Sequence, residues 1–130
     1  MKTLIVEDDF TARLVLQQAL SRHGECHIAV NGLEAVEAVR MAIEQGDPYN
    51  LVCMDVVMPE MDGPAAVWRI RAFEEARGIP PAARTRIVMT TIVEELGGAF
   101  QSFRQLWDGY MMKPVDIGEL MGHLQGFGLI

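Results

Sequence analysis

Residues 51–63 read Leu51-Val52-Cys53-Met54-Asp55-Val56-Val57-Met58-Pro59-Glu60-Met61-Asp62-Gly63. The first four are apolar without alternation, the pattern of a strand buried on both faces in the middle of a parallel sheet. An aspartate follows at once, then a loop over residues 56–63. Pro64 falls in the first turn of a helix that turns Val67, Ile70 and Phe73 inward. A buried strand that ends in an acid and leads into a helix is one βα unit.

Upstream of it the same alternation occurs twice. Leu4-Ile5-Val6 is strand-like, and Ala12, Val15, Leu16, Ala19 and Leu20 then recur at helical spacing. Gly24 ends that helix, Cys26-His27-Ile28-Ala29-Val30 reads as a second strand, and Asn31 is placed to cap a helix carrying Ala35, Val36, Val39, Ala42 and Ile43. Downstream, residues 78–86 form the longest irregular connection, with two consecutive prolines, before the strand Ile87-Val88-Met89. A fourth helix is expected to carry Leu96, Ala99, Phe100, Phe103, Leu106 and Trp107; Tyr110-Met111-Met112 is the fifth strand, and Ile117, Leu120, Met121 and Leu124 line a last helix. Five βα units imply one α/β domain over residues 1–130, a doubly wound five-stranded parallel sheet in the order 2-1-3-4-5.

The composition agrees with a single well-filled core: 130 residues, half of them hydrophobic, 22% charged. The net charge of −7, with 11 Lys and Arg scattered along the chain, argues against direct nucleic-acid binding. No apolar run approaches the about 20 residues of a membrane span, and Met1-Lys2-Thr3 leads into the first strand without a signal segment. Cys26 and Cys53 lack metal-ligand spacing and read as buried thiols of a reducing, cytoplasmic protein. The nine methionines read as core filling, and His23, His27 and His123 as surface or strand residues.

In sheets of this kind ligands gather outside the carboxyl ends of the strands. Those ends carry Glu7-Asp8-Asp9, Asp55, Thr90-Thr91 and Lys113-Pro114. Crowded carboxylates favour a divalent cation, and a hard ion such as Mg2+ suits carboxylates with carbonyls, water and phosphate. An aspartate beside such an ion can attack a phosphoryl donor to form an acyl phosphate, with a lysine and a hydroxyl holding phosphate oxygens. Asp9 reads instead as a helix cap.

Taken together, Leu-Ile-Val-Glu-Asp-Asp at residues 4–9, Met-Asp-Val-Val-Met-Pro-Glu-Met-Asp-Gly at 54–63, the late threonine and Gly-Tyr-Met-Met-Lys-Pro at 109–114 resemble the receiver domains of response regulators, along the whole chain and in the right order. The resemblance implies a CheY-like single-domain fold and a phosphoacceptor signalling protein rather than an enzyme in the ordinary sense. It makes Asp55 the acceptor. Asp8 and Glu7 become the acids of a Mg2+ (or Mn2+) site, completed by Asp55 and the backbone carbonyl of Val57. Thr91 rather than Thr90 is the switch hydroxyl, Tyr110 the aromatic that changes rotamer, Lys113 the phosphate-binding lysine, and Pro114 follows a cis bond.

The same resemblance implies a sensor histidine kinase or phosphotransfer protein as donor. Its output is an effector protein bound through the face of the fourth helix, fifth strand and last helix, with no output domain in these residues. A phosphorelay intermediate or phosphate sink has the same chemistry; an unphosphorylated interaction module normally lacks one of these groups. A flavin-carrying relative of the same fold needs a phosphate-cradling loop after the first strand, where Glu7-Asp8-Asp9 would repel phosphate. Three departures from the family pattern stand out: Ile92 after the switch threonine, Gly97-Gly98 within the fourth helix, and the long connection from Phe73 to Arg86. Val57 and Val93, with Ile92, imply a dry, crowded approach to Asp55.

Overall fold

A computed structural model describes residues 1–92 and 103–130. Five strands, β1 (Lys2–Val6), β2 (Glu25–Ala29), β3 (Leu51–Asp55), β4 (Arg86–Thr91) and β5 (Gly109–Met112), form one parallel sheet in the order β2-β1-β3-β4-β5. The helices α1 (Phe10–Leu20), α2 (Gly32–Glu44), α3 (Gly63–Ala76) and α4 (Ile117–Gly126) cover it. Side chains alternate across the strands and divide the core in two. Leu4, Val6, Val52, Met54, Ile87 and Met89 pack toward α2 and α3; Ile5, Leu51, Cys53, Val88 and Met111 pack toward α1 and α4. β3, at the centre, is buried at all five positions.

Local chemistry starts the helices where the chain leaves the sheet. Asp9, Asn31, Asp62 and Asp116 each sit at a helix N-cap and accept a backbone N–H three residues on. Asp9 and Asn31 therefore cap as their positions predict. β2 begins and ends one residue earlier than its apolar pattern indicates, with Val30 outside it. As an edge strand, β2 has fewer cross-strand partners to hold its ends. Val15 and Ile117, expected in the core, are 41% and 37% exposed. The helices meet the sheet along a narrower stripe, Leu16 and Leu20 on α1 and Leu120 and Leu124 on α4. Phe73 is half-buried under the guanidinium of Arg77.

The helical turn expected to carry Leu106 and Trp107 is not α-helical. Residues 104–106 form a 3-10 turn and Trp107 is extended. The cause is tertiary: Asp108 donates its N–H to the carbonyl of Ile87 at 2.8 Å to enter the sheet, and Arg71 Nε donates to the carbonyl of Leu106 at 2.8 Å. The first contact carries the chain into β5 from an extended Trp107. Trp107 is nevertheless buried in the α2–α3 half of the core. Leu96, Ala99, Phe100, Val93 and Gly97-Gly98 lie outside the described residues. Of the two cysteines, both free, Cys53 is buried and Cys26 only half-buried. No helix among the described residues is long and apolar enough to cross a membrane.

Candidate functional site

Four strand ends meet at one edge of the sheet. β1 delivers Glu7, whose N–H is tied to the carbonyl of Ala29 at 3.1 Å. β3 delivers Asp55, and the next residue, Val56, donates its N–H to the carbonyl of Thr90 at 3.0 Å. β4 and β5 are joined at their ends by the N–H of Lys113 and the carbonyl of Thr91, 2.7 Å apart. The backbone pairing that makes the sheet therefore also fixes the spacing of the polar groups on its rim.

Glu7 and Asp55 are almost wholly buried, at 1% and 4% exposure, while Asp8 is exposed. Carboxylate oxygens of Glu7, Asp8 and Asp55 lie within 4.8 Å of one another. Lys113 Nζ stands 3.0 Å from Glu7 Oε1 and 3.0 Å from Asp55 Oδ2. The lysine thus joins two acids. Glu7 also accepts the N–H of Asp9 on Oε2 at 3.3 Å, and its carbonyl accepts from Arg13 Nη1 at 3.2 Å.

Charge in this pocket is expensive to hold. Burial, together with the hydrogen-bonded and charged neighbour Glu7, pushes the Asp55 carboxyl up to about 7; Lys113 opposes the shift and does not cancel it. Burial pulls the Lys113 ammonium down, but its bonds to Glu7 and Asp55 outweigh that and leave it above the ordinary lysine value. With all three acids ionised, one ammonium leaves two negative charges uncompensated. A divalent cation matches that deficit in charge and in its preference for oxygen ligands. The donor set therefore fits Mg2+, with Asp8 the accessible acid, Asp55 at the floor, and Glu7 committed to Lys113.

Among the described residues, the polar groups singled out from the sequence lie on this edge, and Tyr110 lies two positions back from the end of β5. Thr91 closes β4, fully buried, with its hydroxyl donating to the carbonyl of Ile92 at 3.0 Å. Thr90, the register partner of Asp55, is buried as well. Tyr110 lies on β5, 36% exposed, with the Arg104 guanidinium 5.8 Å above its ring. The Lys113-Pro114 bond is cis. Val57 and Ile92 are 58% and 41% exposed. Arg13 was not legible as a site neighbour. It lies one turn into α1, and the only sequence signal was a lone cation just after the acids.

A family model for the response regulator receiver domain matches residues 3–125. The regulatory protein AtoC of Escherichia coli is 32% identical over 121 residues, covering 92% of this chain and 23% of AtoC. The chain spans less than half the length of the curated relatives it matches. Among solved structures, the receiver domain of the histidine kinase CKI1 from Arabidopsis thaliana, complexed with Mg2+ and BeF3-, has a TM-score of 0.78 at 28% identity, covering 98% of this chain and 89% of that one. The receiver domain of the yeast response regulator Ssk1, co-crystallised with the histidine phosphotransfer protein Ypd1, also has a TM-score of 0.78, at 26% identity, covering 98% and 88%. Fold, edge chemistry and family match agree: the chain belongs to the response regulator receiver domains of two-component systems.

Proposed function

We propose that residues 1–130 act as one receiver unit in which Asp55 takes a phosphoryl group from a phosphohistidine. The supporting observation is the placement of Asp55 at the floor of the acid pocket, 3.0 Å from Lys113 Nζ and beside Glu7 and Asp8. A carboxylate oxygen of Asp55 forms a bond to phosphorus as the P–N bond of the donor breaks, and the imidazole leaves with the electron pair and is protonated. Lys113, already within reach of Asp55, turns to a phosphoryl oxygen, and the Thr91 hydroxyl donates to another. Asp8, Asp55 and the carbonyl of Val57, with Glu7 beside them, would hold Mg2+, or Mn2+ in its place. When bound, the cation offsets negative charge on the acid and the transferring group.

The donor is a sensor histidine kinase or a phosphotransfer protein, as the complex of Ssk1 with Ypd1 suggests by likeness. The Mg2+ and BeF3- on the CKI1 receiver favour the same reading of the pocket. Output passes to an effector protein through the face of the expected fourth helix, β5 and α4, in the cytoplasm, where the free thiols of Cys26 and Cys53 remain reduced. The test is intact-mass analysis after acetyl phosphate and Mg2+. Wild type should gain one phosphoryl group and Asp55→Asn none; equal loading of the variant would overturn the assignment.

A further inference from the structure

The loop that follows Asp55 is also held at a point outside the acid cluster. Gly32 is the first residue of α2, and its N–H is one of the donors that a helix leaves without an internal partner. That N–H donates to the carbonyl of Met61 at 3.1 Å. The approach is so close that a Cβ on residue 32 would lie 2.2 Å from the carbonyl oxygen and 2.9 Å from both the carbonyl carbon and the Cβ of Met61. These are backbone and near-backbone atoms, which cannot rotate away.

Nor has the loop much slack. It is closed at its base by the N–H of Gly63 on the carbonyl of Val56 at 2.8 Å, and tightened at its tip by the N–H of Met61 on the carbonyl of Pro59 at 2.8 Å. Between these, Glu60 is left-handed at φ 68°. Gly32 itself has no left-handed φ that would call for glycine. Alanine is the better helix residue by about 1 kcal/mol. The contact with Met61 is what requires glycine.

We propose that Gly32 is a positioning residue for the phosphoryl site: through the Met61 carbonyl it sets where the 56–62 loop sits, and so where the Val57 carbonyl is offered to Mg2+. This rests on the Mg2+ reading given above. A methyl group at residue 32 must drive the loop back by roughly 1 Å to reach ordinary contact. Mg2+ takes ligands at about 2.0–2.1 Å in near-ideal octahedral geometry, so a displacement of that size removes a ligand. The helix keeps its own cap, because the Asn31 side chain still accepts from Glu34 N–H, a bond of 2.8 Å that alanine leaves alone.

Calorimetric Mg2+ titration of wild type and Gly32→Ala, with circular dichroism of both, separates the outcomes. The variant should keep its helix signal and bind Mg2+ at least tenfold more weakly. Wild-type binding together with variant binding within twofold of it would overturn the role of Gly32. A wild type that binds no Mg2+ would instead overturn the metal reading, and this inference with it. Should the variant not fold, hydrogen exchange of wild type decides. The Gly32 amide should exchange several-fold more slowly with Mg2+ while the Leu124 amide in α4 is unchanged; no change at Gly32 would overturn the proposal.

Discussion

Asp55 is an acid in a place where ionisation is costly. Its carboxyl is raised by burial first, then by the Glu7 neighbour, from the ordinary 3.8 to about 7. The sign for stability follows from proton counts. Between those two values the unfolded chain has lost the proton and the folded chain keeps it, so without divalent cation stability falls as pH rises from about 4 to about 7. Asp55→Asn removes that term. At pH 8 and without Mg2+ the variant should be more stable than wild type by about 1–2 kcal/mol, once screening at the open mouth of the pocket is allowed for. At pH 4 the two should be nearly equal. Urea unfolding at both values checks this, and a variant less stable than wild type at pH 8 would contradict it. The identity of the acceptor was legible in the sequence. The Lys113 ammonium between Glu7 and Asp55 was not, because residues 106 apart meet only when β5 joins the sheet through β4.

The acid edge depends on how its elements are joined, and α3 is joined to the sheet by a buried charge. Glu74, 1% exposed, accepts from Arg71 Nη1 at 2.7 Å and from the N–H of Thr85 at 2.9 Å. Arg71 also donates to Asp108 Oδ2 at 3.0 Å and to the carbonyls of Thr85 and Leu106, both at 2.8 Å. One guanidinium thereby links α3, the start of β4 and the approach to β5. Removing one member of such a buried pair leaves the other uncompensated, which costs about 3–5 kcal/mol when no substitute partner exists. Since Asp108 can still serve Arg71, Glu74→Ala should cost about 3 kcal/mol in urea unfolding. A loss below about 1 kcal/mol would show that this pair does not hold α3 to the sheet. The periodicity of α3 was readable from Val67 and Ile70. Glu74 was not, since an acid on a helix reads as solvated until the strand that covers it is in place.

Across the whole molecule, a phosphoryl group would add up to about two negative charges at the edge where β4 and β5 end. The Thr91 carbonyl already receives the Lys113 N–H, so a pull on either residue is transmitted to the other strand. Tyr110 sits on β5, 36% exposed, and its packing is expected to change when Thr91 moves. Amide exchange with and without Mg2+ and beryllofluoride should therefore differ most over residues 91–112. A uniform response, or one confined to α2, would argue against signalling through β5 and α4. The effect should vanish in Asp55→Asn, which separates it from cation binding elsewhere.

Strand order, the two-layered core, the helix caps at Asp9 and Asn31 and the acids of the edge could all be read from residue order. Each follows from local periodicity, turn chemistry or the rule that parallel strands present their carboxyl ends together. Other features were settled only when distant segments met. Residues 104–107, expected to be helical, are a 3-10 turn followed by extended chain, with Ile87 and Arg71 holding the backbone there. Val15 and Ile117 stand outside the core because a helix buries only the stripe its sheet can reach. Gly32 meets Met61 at a distance that admits no side chain. Contacts between residues remote in sequence leave no periodic trace, so packing alone decides which of them form.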